Sequence, residues 1–254
     1  MAFLAAVTMT LLACSSGGSK ASSSSSTHAS SSTGLASTTT TSTTAPTTTT
    51  PSCETPDQPA SAVRVSTGSG DLDGDGKADA VTTYADGTDS APGPWHVLVA
   101  LGNGNGRVAT AIGDAVSGDP NQRVSVLGAS TISGPRQVLF VSIGSGASAI
   151  IVGLFTVDGC TLQRLSIAPS TEPAQLAVGG TVTHLDGLRC ADGGLDRMQA
   201  TSSDGTTYDT TVQRFTVAGG MLNADGAPTK ASIGGADPAL QSFSNLDCPG
   251  VSLP

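Results

Sequence analysis

The sequence predicts an all-β domain of repeated antiparallel sheets, carried behind a long polar N-terminal segment. Three observations predict it. From residue 60 onward, short β-rich runs alternate with Gly, Asp and Pro, and no long stretch holds a helical period. The stretch "LFTVDGCTL" (154–162) recurs as "RFTVAGGML" (214–222) at an offset of 60, with Phe155/Phe215, Thr156/Thr216, Val157/Val217, Gly159/Gly219 and Leu162/Leu222 identical. Each copy reads as a strand, a tight Gly turn and a return strand. A weaker copy is "VALGNGNGRV" (98–107). Hairpins spaced by roughly 55–60 residues read as repeated four-stranded sheets, either stacked or set as blades. The architecture expected is a small or incomplete β-propeller-like domain, with a β-sandwich as the alternative.

The elements follow in chain order. Residues 1–13, "MAFLAAVTMTLLA", are apolar but shorter than the ~20 residues that span a bilayer. They read as the core of an export signal, although no Lys or Arg precedes them. The following "LLAC" (Leu11 to Cys14) resembles the lipobox of bacterial lipoproteins. That resemblance implies cleavage before Cys14, lipidation of Cys14, and a site on the outer face of the cell membrane of a Gram-positive-type envelope.

Residues 14–59 are expected to form a disordered tether. They are mostly Ser, Thr, Ala, Gly and Pro and offer no apolar period to bury. The tether's most uniform part, residues 15–52, is about 38 residues; as a coil it reaches roughly 35 Å, and fully extended roughly 125 Å.

Residues 60–254 are the expected folded domain. Candidate strands are 62–66, 78–84, 95–101, 107–112, 123–127, 136–143, 147–157, 161–166, 181–184, 197–202, 208–217 and 221–222. All 20 acidic residues, and all Lys and Arg except Lys20, lie at Cys53 or later. The folded part is therefore acidic, which argues against nucleic-acid binding and against electrostatic adhesion to an anionic membrane. Apart from Cys14, the cysteines are Cys53, Cys160, Cys190 and Cys248. In an exported chain they are disulfide candidates with three pairings. Cys53–Cys248 with Cys160–Cys190 is favoured, because the first would staple the two ends of the domain.

The chemistry concentrates in "DLDGDGKADAV" (71–81). Asp71, Asp73 and Asp75 hold positions 1, 3 and 5 of a loop, Gly76 permits a sharp bend, and Lys77 offers its main-chain carbonyl at position 7. Asp79 supplies a closing carboxylate at position 9. Hard oxygens at this spacing suit Ca²⁺, whose flexible shell takes six to eight of them. Position 12 is Thr82 and a β run follows, so the loop is not an EF-hand. The segment resembles the D-x-D-G-D-G-x-x-D signature of FG-GAP/VCBS-type repeats, the calcium-binding blades of integrin-α-like propellers. The resemblance implies a structural Ca²⁺ held by Asp71, Asp73, Asp75, Lys77 and Asp79.

One repeat later, at an ungapped offset of 58, stands "ASTISGPRQVL" (129–139). Gly134 matches Gly76, while Ala129, Thr131, Ser133 and Gln137 replace the four aspartates. That copy is expected to keep the turn and lack the metal.

Other chemistry is sparse. His96 and His184 are the only histidines after the tether, and no G-x-S-x-G elbow is present. "GNGNG" (102–106) precedes a β run, so it reads as a hairpin turn and not as a phosphate loop. Trp95, Tyr84 and Tyr208 read as core anchors in preference to a sugar-stacking platform. The function expected is a calcium-stabilised binding, adhesion or scaffolding module with an envelope protein or glycan partner. The alternatives are a cell-wall-acting hydrolase or its accessory subunit, and a purely structural envelope protein.

Overall fold

A computed structural model describes residues 52–115, 121, 123–146, 148–191 and 193–254. The signal segment, Cys14 and the tether through residue 51 lie outside the described residues.

The domain is all-β. Its first meander is β1 (Val63–Gly70), β2 (Asp79–Thr88), β3 (Ala91–Ala100) and β4 (Arg107–Ile112), paired in that order. The second is β5 (Ser125–Thr131), β6 (Gln137–Ser145), β7 (Ala149–Asp158) and β8 (Thr161–Arg164). After β9 (Ser166–Ile167) and β10 (Leu176–Thr181) comes the third, β11 (His184–Ala191), β12 (Gly194–Thr201), β13 (Thr207–Ala218) and β14 (Met221–Ala224). The chain ends with β15 (Thr229–Gly234), a 3-10 helix (Pro238–Ser244) and β16 (Leu246–Asp247). The repeated hairpins 154–162 and 214–222 are β7–β8 and β13–β14, the last hairpin of successive meanders.

The second meander is the middle layer. Along β6, Leu139, Val141 and Ile143 enter a core shared with Val81, Trp95, Val97 and Val99 of the first meander. The alternating Val138 and Phe140 enter a core shared with Leu188, Leu195, Phe215 and Leu222 of the third. Successive side chains of a strand point to opposite faces. A sheet covered on both faces therefore needs continuous apolar runs, as "VLFVSI" and "IIVGLF" provide.

β1 crosses β5 at very close range. A Cβ at Gly68 or Gly70 would collide with the side chain of Val126 or Ala129. Val126 N–H also donates to Ser66 Oγ at 3.1 Å.

The second and third meanders are joined by hydrogen bonding. The N-terminal half of β7 pairs with β10, whose other edge pairs with β11. β15 stands in the same relation to β13. Most of β15 is exposed where β10 is buried or half-buried along most of its length, and no further strand follows along β15 among the described ladders.

Two differences from the expected elements have local causes. The expected strand 181–184 is the turn between β10 and β11. The strands β10, β11, β15 and β16 were not among the candidates: β11 carries Asp186 and Gly187 inside it, and "TKASIG" of β15 is short, mostly exposed and has Ile233 as its one large apolar residue.

The disulfides correct the favoured pairing. They are Cys53–Cys160 and Cys190–Cys248. Stacked meanders bring equivalent hairpins side by side, so the β3–β4 hairpin lies near the β7–β8 turn. Cys53 runs along the former, receiving Arg107 N–H at its carbonyl and donating to Asn105 O, and bonds Cys160 in the latter. Cys53 is buried, so the folded part includes residues before the expected boundary at 60.

The C-terminal tail returns to the sheet and not to the N-terminus. β16 pairs parallel with β11, Val251 bridges to Gly128 of β5, and Cys248 bonds Cys190 of β11.

Candidate metal centre

The loop 71–78 joins β1 to β2 at one end of the first meander. Gly74 and Gly76 take φ of +80° and +85°, a left-handed conformation that glycine enters without strain. These bends turn the chain back upon itself. Leu72, only 1% exposed, anchors it in the core between the first two meanders.

Carboxylate oxygens of Asp71, Asp73 and Asp79 lie within 4.8 Å of one another, a grouping that could hold a metal ion. Asp79 is fully buried at the start of β2. Its Oδ2 accepts from Leu72 N and its Oδ1 from Gly102 N, each at 2.8 Å. Asp71 accepts from Gly74 N at 2.9 Å and Gly76 N at 3.0 Å. Asp73 accepts from Asp75 N at 3.1 Å and from Asn103 Nδ2 at 2.8 Å. The main-chain N–H groups offset part of the repulsion among the carboxylates.

Burial raises the Asp73 carboxyl above the usual range. The charges of Asp79, Asp75 and Asp71 add to this, and the Asp75 N–H opposes it. A cation among these oxygens would remove that penalty.

Asp75 stands outside this triad, and Lys77, whose expected contribution is its main-chain carbonyl, follows two residues later. Both are exposed, and Asp75 Oδ1 accepts from Lys77 N at 2.8 Å. Three of the four predicted carboxylates are thus brought together. Sequence reasoning missed two contributors, Asn103 and Gln137. The signal for Asn103 was present in "GNGNG", which forms the β3–β4 turn as expected. Gln137 opens β6, and its Oε1 accepts from Asp71 N at 2.8 Å while its N–H donates to Asp71 O at 2.9 Å.

The counterpart in the second meander is a shorter connection, residues 132–136. Ala129 and Thr131 belong to β5, so the ungapped alignment places only Ser133, Gly134 and Gln137 in or beside the turn. Gly134 keeps a left-handed φ of +76°. Ser133 Oγ donates to Val217 O and accepts from Val217 N, reaching the third meander.

The remaining candidates make contacts within their own meanders. His96 Nε2 lies 2.9 Å from Asp86 and its ring stacks on Tyr84. His184 Nε2 lies 2.6 Å from Asp186, which also receives Gln199 Nε2. Trp95, Tyr84 and Tyr208 are buried. An open groove of about 550 Å³ between the second and third meanders is lined by Ser133, Arg136, Asp158, Gln163 and Val217 among others, and by no histidine.

In the third meander, Asp196 is buried between Arg214 Nε at 2.8 Å and Arg189 Nη2 at 2.7 Å. Burial opposes its ionisation. Hydrogen bonds from Arg214 and Arg189 outweigh that and hold the carboxyl below the usual range.

The comparisons with family models, curated proteins and solved structures returned no significant match for this chain. Two disulfides mark a protein of an oxidising, extracytoplasmic compartment. No helix of the described residues is long and apolar enough to cross a membrane.

Proposed function

We propose that this chain is an exported lipoprotein, anchored through Cys14, whose β-repeat domain is a binding or scaffolding module stabilised by Ca²⁺. The reading is carried by the convergence of Asp71, Asp73 and Asp79 in a D-x-D-G-D-G-x-x-D loop. All three donors are hard oxygens, with no Cys or His in the cluster, which favours Ca²⁺ over transition metals. Bound there, the ion neutralises charge that the loop's N–H groups only partly offset. The ligand is structural: Asp79 also carries the hydrogen bonds that close the loop. An acidic surface and a Ser/Thr-rich leader suit display away from a membrane and toward an envelope protein or glycan.

The test is thermal unfolding with and without Ca²⁺, beside a pull-down from envelope fractions in Ca²⁺ or EDTA. Ca²⁺ at about 100-fold over its Kd should stabilise the domain by about 2.7 kcal/mol. Asp71→Asn/Asp73→Asn should abolish that gain. Equal stabilisation of the double variant would refute the metal assignment, and envelope capture indifferent to Ca²⁺ would refute the link between ion and binding.

A further inference from the structure

We infer that Gln137, from the second meander, is a positioning residue of the acidic loop, so that ion binding at the loop is coupled to the docking of the first meander on the second. The inference rests on the metal reading above and adds to it a second sheet.

The loop has two differently held walls. One is held within its own meander: Asp79 closes on Leu72 N and Gly102 N, and Asn103 reaches Asp73. The other is held from outside. Both main-chain polar groups of Asp71 are taken by one residue, Gln137, at 2.8 and 2.9 Å.

The neighbours of Asp71 are fixed to the same partner. Gly70 lies against Ala129 of β5, and Leu72 is sealed in the core with Leu139, Val141 and Phe155. Residues 70–72 are therefore seated on the second meander, while Asp75, Gly76 and Lys77 are exposed.

An ion acts by drawing carboxylates to itself. Asp71 cannot shift toward it without moving main-chain groups that Gln137 holds in two places. Gln137 in its present position pre-sets Asp71 and so raises affinity. By reciprocity, a bound ion strengthens the Gln137 contact. Gln137 occupies the place in its own meander that Asp79 occupies in the first, at the opening of the second strand. The turn without a metal thus supplies a support for the turn that has the carboxylates.

Hydrogen–deuterium exchange of the full-length protein, with and without Ca²⁺, tests this beside isothermal calorimetry on the same samples. In the wild type, Ca²⁺ should slow exchange in 71–79 and also in 124–130 and 137–142. Gln137→Met keeps the size of the side chain without its acceptor. It should weaken Ca²⁺ binding about fivefold and remove the slowing in the second meander. Gln137→Glu, which can still accept from Asp71 N, should restore both.

Protection confined to 71–79 in the wild type, or wild-type affinity in Gln137→Met, overturns the coupling while leaving the metal reading in place. Absence of any Ca²⁺ heat in the wild type overturns the metal reading itself. If Gln137→Met does not fold, the wild-type exchange pattern and Gln137→Glu decide the matter.

Discussion

The β1–β2 and β5–β6 connections occupy the same place in successive meanders and handle their polar groups in opposite ways. The first gathers three carboxylates and turns its N–H groups inward upon them. The second is shorter, carries no acid in residues 132–136, and sends Ser133 and Gln137 outward to the main chains of its two neighbours. A left-handed glycine survives in both, Gly76 and Gly134. The turn is thus a geometric requirement of the meander, whereas the charge is an option that one copy uses. A third solution is found in β12, where buried Asp196 is neutralised by two arginines in place of N–H groups.

The largest expected effect comes from forcing the first solution upon the second site. Ala129→Asp/Thr131→Asp/Ser133→Asp/Gln137→Asp restores the four aspartates of the ungapped alignment. It should bind no second Ca²⁺ in calorimetry and should cost about 4 kcal/mol or more in urea unfolding. Ala129 is buried against Gly70, so the first new carboxylate would be buried without a partner. A variant of wild-type stability with an added ion equivalent would show that loop length does not matter.

Next in size is Asp79→Ala. It strips the acceptor from two N–H groups, Leu72 and Gly102, and should cost about 3 kcal/mol even in EDTA. Its insensitivity to EDTA separates it from the Asp71/Asp73 double variant, whose cost appears only when Ca²⁺ is present. A loss confined to Ca²⁺ conditions would mean that Asp79 is a ligand and nothing more.

The smallest effect sharpens the contrast with β12. The Asp196 carboxyl is held below its ordinary value, so its contribution is present above the unfolded value of about 3.9 and is lost as pH falls through the lower folded value. Asp196→Asn should flatten the decline in stability below about pH 4, cost about 1–2 kcal/mol at pH 7, and leave Ca²⁺ binding unchanged. A decline as steep as in the wild type would assign the acid limb to other carboxylates.

Local signals were legible where they were chemical or repetitive. The hairpins at 154–162 and 214–222, the strand at 107–112 and the Asp loop stand in the sequence much as they fold, because each is fixed by residues close in the chain. What was not legible depends on long-range stacking. Cys53 meets Cys160 because two hairpins are superposed by sheet packing, and nothing in the local sequence encodes that neighbour. Gln137 reads as a lost ligand until β5 and β1 are seen to cross at Gly70. Asp75 has the right spacing for the cluster, yet stands outside the triad, because spacing fixes the order of side chains and not their convergence. β15 escaped notice because an exposed edge strand needs no apolar alternation.

The Cys53–Cys160 bond also determines how tension would travel through the molecule. Its partners are 107 residues apart and enclose the whole first meander, including the acidic loop. A pull on the N-terminal segment enters at Cys53 and crosses directly through sulfur to the β7–β8 hairpin. Residues 54–159 form a side branch of that force path and carry no load. The first strand beyond the bond is β8 (Thr161–Arg164), the last of the middle layer. A protein tethered by its N-terminus and gripped beyond Cys160 would therefore transmit force around the acidic loop without unravelling it.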